Sequence, residues 1–106
     1  MARAGPEKLI TNAILDYLRD KGAFAEKIHG GGMQPRLVDI LSCYRGNFIA
    51  LEVKAREMEP TGAQRYILEL VDKADGWSAC VWSVEQVVKI CDQIDEQYDR
   101  LSSLIR

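Results

Sequence analysis

The chain has 106 residues, 47% of them hydrophobic and 28% charged, with a formal net charge of −2, which suits one ordinary globular domain with a modest core and excludes a strongly basic nucleic-acid binder. No apolar run approaches the ~18 residues of a membrane span, and residues 1–7 hold no stretch of signal-peptide type, so a cytoplasmic protein with no membrane partner is expected. Cys43, Cys80 and Cys91 are odd in number and lack CxxC spacing, which reads as reduced thiols rather than a disulfide or zinc site.

A first helix is predicted over residues 6–21. Pro6 suits its first turn, Leu9, Ile10, Ala13, Ile14, Tyr17 and Leu18 follow helical spacing, and Gly22 ends it. A strand over residues 23–28 leads into the loop 29–36, which carries three successive glycines. Two further strands, 37–44 and 47–54, flank Arg45-Gly46, a two-residue hairpin turn. The polar stretch 55–60 precedes a second helix, capped by Thr61, with Ala63, Tyr66, Ile67, Leu70, Val71 and Ala74 on one face. Gly76 ends that helix, residues 77–82 form a fourth strand, and Ser83 caps a last helix. Its apolar face is Val84, Val87, Val88, Cys91, Ile94, Tyr98 and Leu101. The order is αβββαβα, a mixed sheet covered by helices.

The hairpin carries the chemistry. If Arg45-Gly46 is the turn, Tyr44 faces Asn47, and the same register sets Asp39 opposite Glu52. Lys54 emerges on the face of Glu52, because strand side chains alternate. Like charges across a ladder are destabilising, and a divalent cation is a natural counter-charge. Hard cations take carboxylate oxygens; one bound here polarises a phosphate and acidifies a water, while Lys54 is placed to neutralise charge on that phosphate. The same three letters also occur by chance on solvated strands. Here their neighbours Leu37, Leu41, Phe48 and Ala50 are apolar, and charges amid an apolar face need a reason.

Other candidates have plain structural readings beside the functional ones. Glu7 shares a helical face with Ile10 and Ile14 and is able to look toward the sheet, or it complements the helix dipole. Gln64 follows Thr61 by three, a capping box, and is also within reach of a phosphate or metal site. Lys27 and His29 alternate onto one face, suited to contacting DNA backbone or to lying beside the active site. The glycines 30–32 lack the Gly-Lys-Ser/Thr of a phosphate loop. Phe48, Tyr66, Trp77 and Trp82 read as core aromatics rather than a base-stacking platform. Residues 1–56 sum to +3 and residues 57–106 to −5, so the half bearing the acids is the more basic one.

Taken together, Glu7, Lys27-Ile28-His29-Gly30-Gly31, Val38-Asp39, residues 46–54, residues 60–64 and residues 81–87 resemble the stand-alone VRR-NUC domains of phages and prophages, in the PD-(D/E)XK nuclease superfamily. The resemblance spans roughly residues 7 to 90. One departure is Val38, where that family usually has proline before the aspartate. The resemblance implies a single domain over residues 1–106 with a restriction-endonuclease-like αβββαβ core and an extra C-terminal helix. It implies an Mg²⁺- or Mn²⁺-dependent DNA endonuclease, with branched or nicked DNA as substrate, in the cytoplasm of a bacterial host or phage-infected cell. By position, Glu7, Asp39, Glu52 and the Val53 carbonyl become metal ligands, Lys54 the catalytic lysine, and Gln64 a member of the site. Apart from that resemblance, Lys27, His29 and Arg36 are expected as DNA contacts. The alternative is a non-catalytic DNA-binding or scaffolding domain on the same fold. A homodimer is also expected, since a last helix of ~22 residues is about 33 Å long. It overhangs the sheet and carries Tyr98, Leu101, Leu104 and Ile105 beyond the core.

Overall fold

A computed structural model describes residues 5–29, 37–56 and 58–105. The elements are α1 (Pro6–Asp20), β1 (Phe24–Lys27), β2 (Ile40–Tyr44), β3 (Asn47–Val53), α2 (Gly62–Lys73), β4 (Trp77–Val81) and α3 (Val84–Ile105). The sheet runs β1-β2-β3-β4. Its first two pairings are antiparallel, and β4 joins β3 in parallel through the α2 crossover.

The hairpin register is the expected one, with Tyr44 on Asn47 and Ile40 on Leu51. Arg45 (φ 49) and Gly46 (φ 79) both take positive φ, the backbone of a primed two-residue turn whose twist matches the strands. The start of β2 differs from expectation, since the ladder begins at Ile40 rather than at residue 37. Asp39 donates its N–H to Leu51 O at 3.1 Å and accepts from Ile28 N–H at 2.8 Å. Its carboxylate Oδ2 accepts from Val53 N–H at 2.7 Å, where a backbone carbonyl would otherwise stand. Alternation breaks at this point. Val38 packs with Ala50, Leu68 and Leu41, while Leu37, expected on that face, is 60% exposed.

One face of the sheet holds the main core. Ile14, Leu15 and Leu18 of α1 and Val87, Cys91 and Ile94 of α3 close over Ala25, Ile40, Ile49, Leu51, Val53 and Val81. Helix α2 covers the other face above β3 and β4. It is rotated from the expected docking: Leu68 is buried, Gln64, Ile67 and Val71 are half-buried, and Ala63, Tyr66, Leu70 and Ala74 are exposed. Tyr66 and Phe48 are therefore surface aromatics, not core ones. The cause is that the stripe facing the sheet begins with a polar side chain.

In the first turn of α3, Gln86 Oε1 accepts from Ser83 N–H at 3.1 Å. Near its middle, Asp95 accepts from Tyr44 Oη at 2.6 Å and Lys21 Nζ at 3.0 Å, with Arg45 Nε 3.4 Å away. This network ties α3 to the end of α1 and to the hairpin turn. Beyond it the helix overhangs, with Leu101, Leu104 and Ile105 exposed, while the Tyr98 ring lies 4.3 Å from the Arg45 guanidinium.

Candidate functional site

Two carboxylates sit where the chain normally places apolar groups. Glu52 is 1% exposed and Asp39 7% exposed. Burying a carboxylate is costly unless hydrogen bonds compensate, and here they are built in. Asp39 Oδ2 is held by the Val53 amide. Glu52 Oε1 accepts from Gln64 Nε2 at 2.9 Å. The same Gln64 side-chain amide accepts from Thr61 N–H through Oε1 at 2.9 Å, and the Gln64 backbone N–H donates to Thr61 Oγ1 at 3.2 Å. The capping box therefore fixes which way the amide points, with the NH₂ toward Glu52. Gln64 is thus a helix cap and, at the same time, a hydrogen-bond partner of Glu52. The polar head of the α2 stripe is there because it meets a buried acid.

Lys54 is half-buried and continues the strand line by donating its N–H to Val81 O at 2.9 Å. Cys80 is the parallel-strand partner of Glu52. Burial pushes its thiol up from the usual value. Glu52 pushes it further, Lys54 pulls it back, and Glu59 and Asp39 add smaller upward effects. The bond from Val53 N–H to Asp39 Oδ2, between Glu52 and Lys54 in the chain, sets all three residues at the same end of the sheet. The sequence reading missed Cys80 as a neighbour of this site, because its position depends on the β3–β4 register.

Glu7 is exposed in the first turn of α1, at the open end of the stripe continued by the buried Thr11, Ile14 and Leu18. Its backbone carbonyl accepts from Thr11 Oγ1 at 2.8 Å. Among the described residues no three His, Cys, Asp or Glu side chains stand close enough together to hold a metal ion. The acids gathered at the centre are thus Asp39 and Glu52. Val53 enters through its N–H. Lys27, half-buried, pairs with Ile40, and the bond from Ile28 to Asp39 sets Lys27 and the exposed His29 on either side of that acid's neighbour. Arg36 lies outside the described residues.

No family model and no curated protein matches the chain. Solved structures do. A VRR_NUC domain matches with a TM-score of 0.70 over 84% of this chain and 97% of that one, at 22% identity. The Holliday junction resolvase Hjc of the archaeal hyperthermophile Archaeoglobus fulgidus matches with a TM-score of 0.57 over 72% of this chain and 67% of the resolvase, at 18% identity. The mixed four-stranded sheet flanked by three helices is thus a fold shared with nucleases. More particularly, it is the fold of a VRR_NUC domain, as the order of motifs led us to expect.

Proposed function

We propose that the chain is a metal-dependent endodeoxyribonuclease that hydrolyses phosphodiester bonds in junction or nicked DNA. The observation that carries this reading is Glu52, a fully buried carboxylate held by an amide sent from α2 for the purpose, beside Asp39 and two residues before Lys54. A position that only filled space would be apolar. The fold likeness to a VRR_NUC domain and to a protein named as a junction resolvase supports the same conclusion.

The donor set, two carboxylates with hard oxygens, fits Mg²⁺ or Mn²⁺. Asp39 and Glu52 would hold the ion, with the Val53 carbonyl and Glu7 proposed as further ligands. Bound there, it supplies Lewis-acid polarisation of the phosphate and acidifies a water. The chain's own residues do the rest. The Val53 amide and Gln64 fix one oxygen of each carboxylate, so the acids need no reordering when substrate arrives. Lys54 brings a positive charge to where negative charge grows on the phosphate. Lys27, His29 and Arg36 are proposed to hold the DNA backbone nearby.

We also propose a homodimer through the overhanging end of α3, which would supply two sites for paired cuts. The decisive test is incubation with supercoiled plasmid, a four-way junction and single-stranded RNA, each with Mg²⁺, Mn²⁺ or EDTA. Metal-dependent cutting of the junction is expected. Binding to DNA without cutting it under any condition would make the chain a non-catalytic DNA-binding domain, and cutting of RNA alone would move the substrate class.

A further inference from the structure

Three described non-glycine residues have positive φ: Arg45, Arg56 and Asp75. Two are accounted for by the fold. Arg45 begins the hairpin turn and its guanidinium meets Asp95, Asp99 and the Tyr98 ring. Asp75 closes the C-terminus of α2, where Gly76 N–H returns to Val71 O at 2.9 Å, and aspartate tolerates this conformation. Arg56 has no such account. It is the second residue of a turn closed by Met58 N–H on Ala55 O at 3.3 Å, with φ 53. Glycine is the residue that turn favours, and a long side chain there is strained against its own backbone.

Both ends of the turn are hydrogen-bonded to the neighbouring strand and its continuation. On one side Lys54 N–H is bonded to Val81 O, and on the other the Trp82 indole N–H donates to Met58 O at 3.1 Å. Arg56 is exposed and makes no ion pair with any described residue. By contrast, Arg65 at the start of α2 already faces Glu59 at 3.4 Å. The strain at Arg56 is thus maintained for a guanidinium that nothing in the described fold uses, two residues past Lys54.

We propose that Arg56 is a DNA-phosphate contact, presented by this turn two residues past Lys54 of the Asp39–Glu52–Lys54 site; this rests on reading the chain as a DNA nuclease. A guanidinium suits phosphate because its fork donates two parallel hydrogen bonds to the oxygens. A backbone already bonded at both ends of the turn lowers the ordering cost of making them. In a chain of net charge −2, affinity for DNA must come from a few cations placed at the site rather than from the protein as a whole.

The test is fluorescence anisotropy with a labelled four-way junction over a salt series, with Ca²⁺ in place of the reactive metals. Arg56→Gln keeps the side chain and drops the charge, Arg56→Gly also relieves the strain, and Arg56→Lys keeps the charge. Arg56→Gln and Arg56→Gly should each weaken binding roughly three- to tenfold and lower the salt slope by about 0.9. Arg56→Lys should stay nearer wild type. Arg56→Gly should melt at or above the wild-type temperature, since glycine fits this backbone. Wild-type affinity and salt slope in Arg56→Gln would overturn the proposal while leaving the nuclease reading intact. A wild-type protein that neither binds nor cuts DNA would remove both.

Discussion

Replacing Gln64 by glutamate separates its two roles, because the new side chain keeps the oxygen that caps α2 and loses the donor to Glu52. In place of an N–H donated over 2.9 Å, a second carboxylate would face the buried one. The lost hydrogen bond to a charged group is worth about 1.5–3 kcal/mol. Like charges so close cannot both ionise without cost, so the pair in the folded state takes up a proton more readily than the unfolded chain does. With its folded pKa raised, the pair carries no penalty well below the ordinary glutamate value, where both carboxyls are protonated in either state. The penalty grows as pH rises through the ordinary glutamate value of about 4.3 and is full above the raised one. A total near 3 kcal/mol at pH 8 corresponds to a melting temperature lower by roughly 15 °C for a domain of this size. Thermal melts of both proteins from pH 4 to pH 8 should converge at the acid end and diverge toward pH 8. An equal difference at every pH, or none, would refute the Gln64–Glu52 contact, and normal cleavage by the variant would leave Gln64 as a cap alone.

Asp95 is held below the usual carboxylate range chiefly by the Tyr44 hydroxyl and also by Lys21, against an opposing effect of burial. A depressed carboxyl contributes stability above its unfolded pKa and loses it as pH falls through the folded one. Asp95→Asn should therefore cost about 1–2 kcal/mol at pH 7 and little near pH 2, in melts across that range. Glu7→Gln should weaken Mn²⁺ affinity and cleavage with little change in melting temperature if Glu7 is a ligand. A mere helix-dipole role predicts the reverse, an intact nuclease less stable by about 0.3–1 kcal/mol. Light scattering at tens of micromolar should find a dimer that Leu101→Glu with Ile105→Glu converts to monomer. A wild-type monomer at that concentration would remove the proposed role of α3.

Local signals made most of the fold legible. The Arg45-Gly46 turn set the register that aligns Ile40 with Leu51, and the Thr61/Gln64 spacing marked the start of a helix. What escaped depended on contacts distant in sequence. Periodicity gave α2 an apolar stripe through Ala63 and Tyr66, but the buried Glu52 draws Gln64 inward and turns those residues out. Asp39 looked like a strand residue, yet its carboxylate takes the Val53 N–H, breaks the alternation and brings Val38 rather than Leu37 into the interior. Cys80 joined the site only through a parallel pairing that no turn announces.

In the proposed site, Asp39 and Glu52 hold a divalent cation that Lys54 assists but does not bind. Calorimetric titration of Mn²⁺ into wild type and the alanine variants of these three residues tests it most directly. Wild type and Lys54→Ala should bind alike, although Lys54→Ala cleaves DNA ~10²-fold or more slowly, whereas Asp39→Ala and Glu52→Ala should show no binding. Undiminished Mn²⁺ affinity in Glu52→Ala would contradict the account.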